Sequence, residues 1–216
     1  MSFPIVWAFD DVFDAIPSQF EGKSVSAVIG RSGVNRTLEL VGSNEQYVSV
    51  RLPGVHELNV ILSDTVKYGL MMRYYQAGLA VGVKDEGLSI TKTASSNYEA
   101  GMKYRASLGA GVAILPSPSV LVGVDLNVGY QCSEVKLPDV TGSLGQLFAQ
   151  FALNAQVGVT EDKGLMLRMG LDWSGEDEQS LSSTDSFQGA INAISKAKLS
   201  SGISYFAGFG AFYNIN

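Results

Sequence analysis

The sequence predicts an all-β protein: an antiparallel up-and-down transmembrane β-barrel of eight or ten strands, with an N-terminal extension. Three observations carry this prediction. Apolar and polar residues alternate over long segments, only 17% of the residues are charged, and 24 of 216 are glycine. No apolar run approaches the ~20 residues that a transmembrane helix requires. A barrel produces this combination because every second residue of each strand faces the lumen.

The clearest alternation lies between residues 98 and 133. Successive side chains of a strand point to opposite faces, so the pattern predicts two strands, each with one apolar and one polar face. Residues 115–119, which contain two prolines, reverse the chain between them. The apolar face of this hairpin includes Met102, Leu108, Val112, Val124 and Val128.

The polar strand faces predict a narrow lumen rather than a surface in bulk water, because they are mostly Gly, Ser, Asn and Gln. A few charged residues of both signs are expected to project inward: Glu99, Lys103, Arg105, Asp125, Arg168 and Asp172. Unpaired charges in a poorly hydrated lumen are costly, so we expect an ion-pair network that fills the barrel. A conducting pore lined by the same groups is the alternative; the small bore of eight strands favours the filled lumen.

The N-terminal segment, residues 1–21, is apolar and acidic. Its aromatic residues recur at helical spacing, which predicts a short amphipathic helix over residues 10–15 that ends before Pro17. Residues 1–10 have no basic region, long apolar run or cleavage site typical of a secretory signal. We therefore expect either a mature form or a protein that is not exported.

Residues 22–216 are assigned to one barrel domain, in which residues 22–55 hold shorter strands of uncertain placement. Regular strands begin near Tyr68, and residues 56–62 supply one more strand before them. Between Tyr74 and Tyr75 the alternation changes phase, which predicts a β-bulge.

The connections between strands differ in length. Short ones at 85–87, 115–119 and 161–164 alternate with longer ones at 93–97, 133–144 and 175–198. Alternate connections of a meander lie at the same end, so the pattern predicts short turns at one end and long loops at the other. The loops 134–144 and 175–198 are expected to contact any surface ligand, because loops vary without disturbing the scaffold.

Outward-facing aromatic residues are predicted near the long-loop end, at Tyr98, Tyr130, Trp173 and Tyr205, with Tyr213 alone at the opposite end. Such rings are typical of the interface between lipid and water. The alternative is a set of aromatic residues at the edge of a soluble core.

From about His56 to Asn216 the chain resembles the small outer-membrane β-barrels of Gram-negative bacteria, of the outer-membrane protein A and opacity-protein type. Amphipathic strands, the asymmetry of turns and loops, and the aromatic ring carry this resemblance. It implies a bacterial outer-membrane location, the lipid bilayer as partner, and a structural, cell-surface interaction or narrow porin-like role. Two features depart from the family: the chain ends on Asn216 rather than an aromatic residue, and the strands before His56 have no place among eight.

Candidate catalytic residues are few, and the sequence predicts a protein that is not an enzyme and has no cofactor or metal. His56 is the single histidine and Cys132 the single cysteine, so a Cys/His zinc cluster cannot form. The net charge of -6 with no basic run argues against nucleic-acid binding. Two other classes stay open: a self-assembling structural β protein, such as a shell or tube subunit, and a soluble lipid-binding barrel.

Overall fold

The computed structural model describes residues 19–33, 37–42, 47–51, 54–69, 71–84, 102–137, 140–180 and 194–215. The predicted helix over residues 10–15 lies outside these ranges. The described residues form β1 (Gly22–Gly33), β2 (Thr37–Gly42), β3 (Tyr47–Arg51), β4 (Val55–Tyr68), β5 (Met71–Lys84), β6 (Met102–Ser117), β7 (Val120–Leu137), β8 (Val140–Gly158), β9 (Lys163–Ser174), β10 (Asp177–Ser180), β11 (Ile194–Leu199) and β12 (Gly202–Asn214). They include no helix long and apolar enough to cross a membrane.

Eight of these strands form a closed antiparallel barrel in the order β1-β12-β9-β8-β7-β6-β5-β4. The predicted fold class is confirmed, with eight strands rather than ten. Strand β1 closes the ring because it pairs with β12 from Ser24↔Asn214 and with β4 as far as Ser32↔Val55. The sequence predicted that no strand before His56 belongs to an eight-stranded barrel. This prediction was wrong for β1.

The barrel wall is apolar on its outside and polar on its inside. Leu108 is 68% exposed and Phe209 is 71% exposed, whereas Asp125 and Arg168 are only 2% and 4% exposed. Leu153 and Leu167 also face outward, as the alternation predicts. This distribution is the inverse of a soluble core and matches a wall that faces lipid.

Strands β4 and β5 meet in a tight turn that the sequence interpretation missed. Gly69 has a φ of 58° there, in a region that glycine occupies without a steric penalty. The ladder then runs unbroken from Tyr68↔Met71, so the expected β-bulge near Tyr74–Tyr75 is absent from this described pair of strands. The change of phase arises because Met72 and Tyr74 face inward.

This turn also corrects the assignment of ends. Strand β5 starts at the short-turn end and finishes at the opposite end, where residues 85–101 join it to β6. Residues 85–87, predicted to be a turn at the short-turn end, therefore follow the end of β5 that lies at the long-loop end. These residues lie outside the described ranges. Strand β5 pairs directly with β6 in the barrel.

The expected polar loop over 134–144 is mostly strand, because β7 and β8 remain paired as far as Leu137↔Val140. This hairpin continues past the last pairs of β7 with β6 at Lys103↔Ser133 and of β8 with β9 at Phe148↔Ser174. The tip of the hairpin, residues 138–139, lies outside the described ranges.

The expected loop over 175–198 contains β10 and most of β11. These strands form a second sheet with β2 and β3, in the order β10-β11-β2-β3, which we call the loop-end sheet. Its link to the barrel is short, since β10 begins three residues after Ser174. The backbone N–H of Gly145 in β8 also donates to the Asp177 carboxylate at 2.9 Å.

Inward-facing apolar residues fill the interior at the short-turn end: Phe20, Met72, Tyr74, Ala113, Leu121 and Phe212. The rings of Phe20 and Phe212 lie 5.6 Å apart. The side chain of Asn214 donates to the backbone oxygen of Gln19, which holds the entering chain across this end. In the nearby turn the Thr160 hydroxyl donates to Asp162 at 2.7 Å and lowers the pKa of that carboxyl.

Candidate functional site

The barrel interior contains six buried charged residues among those described. Three are acids and three are bases, so their formal charges cancel: Glu57, Asp125, Asp172, Lys103, Arg105 and Arg168. Every one of them lies on a barrel strand and points inward. Charges this deeply buried persist only when they are paired and hydrogen-bonded.

One group of charges lies towards the long-loop end. The Glu57 carboxylate accepts from Lys103 Nζ at 2.8 Å and from Arg105 Nη1 at 3.3 Å. Arg105 Nη1 also donates to Asp172 Oδ2 at 2.9 Å, and its guanidinium lies 4.0 Å from the ring centroid of Phe148. Strands β4, β6, β8 and β9 are thereby connected across the lumen.

A second group lies towards the short-turn end. Arg168 Nη2 donates to Asp125 Oδ1 at 2.7 Å and to Gln150 Oε1 at 2.9 Å. Asp125 also accepts from the side-chain amides of Asn127 and Asn154. The hydroxyl of Tyr74 donates to Asp125 at 3.4 Å, which joins the ionic network to the apolar cluster below it.

The structure brings together five of the six lumen charges named from the sequence: Lys103, Arg105, Asp125, Arg168 and Asp172. Glu99 lies outside the described residues. Glu57 was not among the predicted lumen charges, although the sequence indicates its direction. Leu58, Val60 and Leu62 alternate outward, which leaves Glu57 facing the lumen.

Little space remains between these side chains. One interior cavity of about 20 Å³ is bordered by Gln76, Arg105, Gln150 and Arg168, and another of about 10 Å³ lies beside Glu57. Such volumes are close to the minimum that holds one water molecule. Around these charges the described lumen is closely packed and polar, which is the opposite of the apolar cavity that a soluble lipid-binding barrel would need.

Aromatic residues stand on the outer wall near both ends. Those at the long-loop end are Tyr104, Tyr130, Trp173 and Tyr205, each between 42% and 66% exposed. Tyr98 lies outside the described residues, and Tyr104 was not predicted. Tyr213 is accompanied at the short-turn end by Tyr68, so it does not stand alone there as the sequence interpretation had it.

The remaining candidate residues do not converge on a site. His56 lies on the exposed outer face of β4. Cys132 is a free, half-buried thiol whose sulfur lies 3.2 Å from the hydroxyl of Ser143. Among the described residues there is no group of three or more His, Cys, Asp or Glu side chains placed to hold a metal ion.

A closed eight-stranded barrel with an apolar wall and a polar, ion-paired interior is the architecture of small outer-membrane β-barrels. Comparison with solved structures supports this class. OprG, an outer membrane protein from Pseudomonas aeruginosa, is similar with a TM-score of 0.56 at 9% identity, over 92% of this chain and 100% of that one. This likeness establishes the fold.

Two further similar structures were found at lower TM-scores. Neisserial surface protein A gives 0.46 at 10% identity, covering 90% of this chain and 98% of that one. Ail, the attachment invasion locus protein of Yersinia pestis, gives 0.42 at 12% identity, covering 90% and 100%. No family model matches the sequence, and a search of curated proteins finds no match.

Proposed function

We propose that this protein is a non-enzymatic integral protein of the bacterial outer membrane, in which the barrel is the anchor and the long-loop end makes surface contacts. The outer wall carries the proposal. It exposes a continuous band of large apolar side chains, among them Leu79, Leu108, Leu147, Leu171 and Phe209. A soluble monomer rarely exposes apolar patches beyond a few hundred Å², whereas a lipid-facing wall consists of them.

The interior supports a structural lumen rather than an open pore. Arg105 and Arg168 are both anchored by carboxylates from other strands, and the cavities beside them are of water size. An ion that crossed would have to separate buried pairs at high cost. We expect planar-bilayer recordings of the inserted protein to stay near the baseline conductance.

Surface contact is assigned to the loop-end sheet and to the part of the β7–β8 hairpin beyond the pair Ser133↔Leu144. Both project from strand ends of a rigid barrel, where sequence change does not disturb the ladder. Glu176 is 69% exposed at its side chain and lies 4.0 Å from Lys198, so this surface presents charges of both signs. A polar or charged ligand at the cell surface fits it best.

The location is tested by cell fractionation and by gel migration with and without heating. We expect the protein in the outer-membrane fraction and a heat-modifiable band after reconstitution into vesicles. A protein that stays soluble without detergent, as a self-assembling shell or tube subunit would, contradicts the proposal.

Replacement of residues 34–53 by a short Asn-Gly turn is expected to remove half of the loop-end sheet and leave the barrel folded. The pairs of β1 with β4 begin at Ser32↔Val55, so the barrel ladder stays complete. The melting temperature in vesicles should fall by less than about 4 °C. Protease added to intact cells should cut the wild type within residues 34–53. It should not cut the variant at the Asn-Gly turn that replaces them.

The matched control for this replacement changes Pro118-Ser119, the turn between β6 and β7, to Asn-Gly. That turn lies at the opposite end, so external protease should still cut the loop-end sheet. Cleavage of the wild type at 118–119 instead would mean that the barrel is inserted the other way round.

His56→Ala is expected to leave every activity of the protein unchanged. The imidazole faces outward on β4, away from the buried acids and bases. A general base needs a nucleophile or substrate within hydrogen-bond reach. Hydrolysis of ester and phospholipid substrates by purified wild type and variant is the measurement, and a loss of more than tenfold in the variant would show that the protein is an enzyme.

A further inference from the structure

The outer wall carries a recess of about 350 Å³ on the short-turn half of the barrel. Its volume falls within the usual range of small-ligand sites. It spans β5 to β8, and the outward-facing side chains around it include Arg73, Tyr75, Ala110, Val112, Leu126 and Phe151.

The strand register explains why a recess forms there. Tyr75, Ala110, Leu126 and Phe151 occupy one row across four neighbouring strands. Ala110 is the one small side chain in that row, so the larger neighbours stand above it as walls. Tyr75 is 69% exposed and Phe151 is 49% exposed, and both therefore offer apolar surface to an occupant.

The recess has a single cation among its lining residues, at the rim nearest the short turns. Arg73 is paired in register with Val112, one row closer to the turns than Ala110. Its guanidinium lies 5.2 Å from the ring centroid of Tyr68, a residue at the turn itself. The long side chain thus runs towards the membrane interface, as basic side chains near an interface do.

We propose that this recess is a binding site for one anionic phospholipid of the leaflet at the short-turn end. An acyl chain lies over Ala110 between Tyr75 and Leu126, and the phosphate pairs with Arg73. Guanidinium groups bind phosphate through two parallel hydrogen bonds. A head group with no cation of its own keeps the net negative charge of its phosphate, so Arg73 favours it over a zwitterionic head group that carries the same phosphate. The site rests on the proposed membrane location, because lipid is present only there.

Native mass spectrometry of the protein released from nanodiscs tests the site, with phosphatidylglycerol and phosphatidylcholine in equal amounts. We expect one retained phosphatidylglycerol on the wild type. Ala110→Phe, which fills the recess, should reduce the retained fraction of either lipid about tenfold. Arg73→Gln should remove the preference for phosphatidylglycerol while lipid still binds, because it deletes only the head-group contact.

Two controls match these changes elsewhere on the wall. Ala211→Phe adds the same ring to an outward-facing alanine on β12, and Lys163→Gln removes a cation that lies over Tyr213 at the same end. Neither residue lines the recess, so both variants should retain lipid as the wild type does. Equal loss in Ala211→Phe and Ala110→Phe would mean non-specific lipid around the wall and would overturn the site.

The same samples separate this proposal from the membrane location. A heat-modifiable band proves insertion of each variant. A wild type that inserts and retains no phosphatidylglycerol contradicts the lipid site alone, whereas a wild type that fails to insert contradicts the outer-membrane proposal itself.

Discussion

Arg168→Met is expected to lower the free energy of unfolding by about 3–5 kcal/mol. The change leaves Asp125 buried without its cation, 2% exposed and inside the barrel. Methionine fills much of the arginine volume, so the loss reports the uncompensated charge more than a cavity. Urea titration of the protein in lipid vesicles, followed by gel migration, measures it.

The double variant Arg168→Met/Asp125→Asn restores most of that stability, because it removes both charges together. Lys23→Met is the matched control: its side chain is exposed at the start of β1, and surface changes of this kind stay within about 0.5 kcal/mol. If Arg168→Met is no worse than Lys23→Met, the ion pair contributes nothing to the barrel. If the double variant is as unstable as the single one, arginine packing and not charge is responsible.

Gly111→Val is expected to destabilise the barrel by about 1–3 kcal/mol through overpacking. A Cβ atom at position 111 would lie 2.3 Å from Cζ of Tyr74. The ring cannot move aside freely, because its hydroxyl donates to the backbone oxygen of Val124 and accepts from Asn154. The same urea titration measures this loss.

Gly175→Val provides the control for this substitution, since the nearest atoms to an added Cβ there are 3.8 Å away. Removing the obstructing ring tests the cause: Tyr74→Leu/Gly111→Val should be more stable than the sum of the two single changes predicts. Strictly additive losses would rule out a clash between these two positions.

The barrel was predictable where alternation is long and strict. Leu108, Leu153 and Leu167 mark the outer face, and Arg105, Asp125 and Arg168 mark the inner one, because strand geometry fixes the side on which every second residue lies. The position of the turns at 115–119 and 161–164 follows from the same pattern. The total of eight strands does not, since it includes β1. The inward pairing of charges could be expected from the cost of leaving them unpaired.

Several features could not be predicted because they depend on pairing between distant segments. The outward face of β1 carries both an apolar residue, Ile29, and a charged one, Arg31, while Ser26 and Ser32 face inward. Polarity therefore does not separate its two faces, and only its pairing with β4 and β12 identifies β1 as a barrel strand. Met72 appeared out of phase because apolar residues fill the lumen at one end. Strands β10 and β11 are short, and they join a larger sheet only because β11 also pairs with the distant strand β2.

The pairing of β1 with β12 has a consequence for how the chain reaches its native state. Most barrel strands pair with neighbours joined by short turns and can form early as local hairpins. The seam is different, since it joins Ser24 to Asn214 across nearly the entire chain. Pairing between segments so far apart is slow, because the chain loses the entropy of loop closure before the new contacts compensate for it. Until the barrel closes, both seam edges have open backbone groups, so the unclosed protein depends on being kept apart from its own copies.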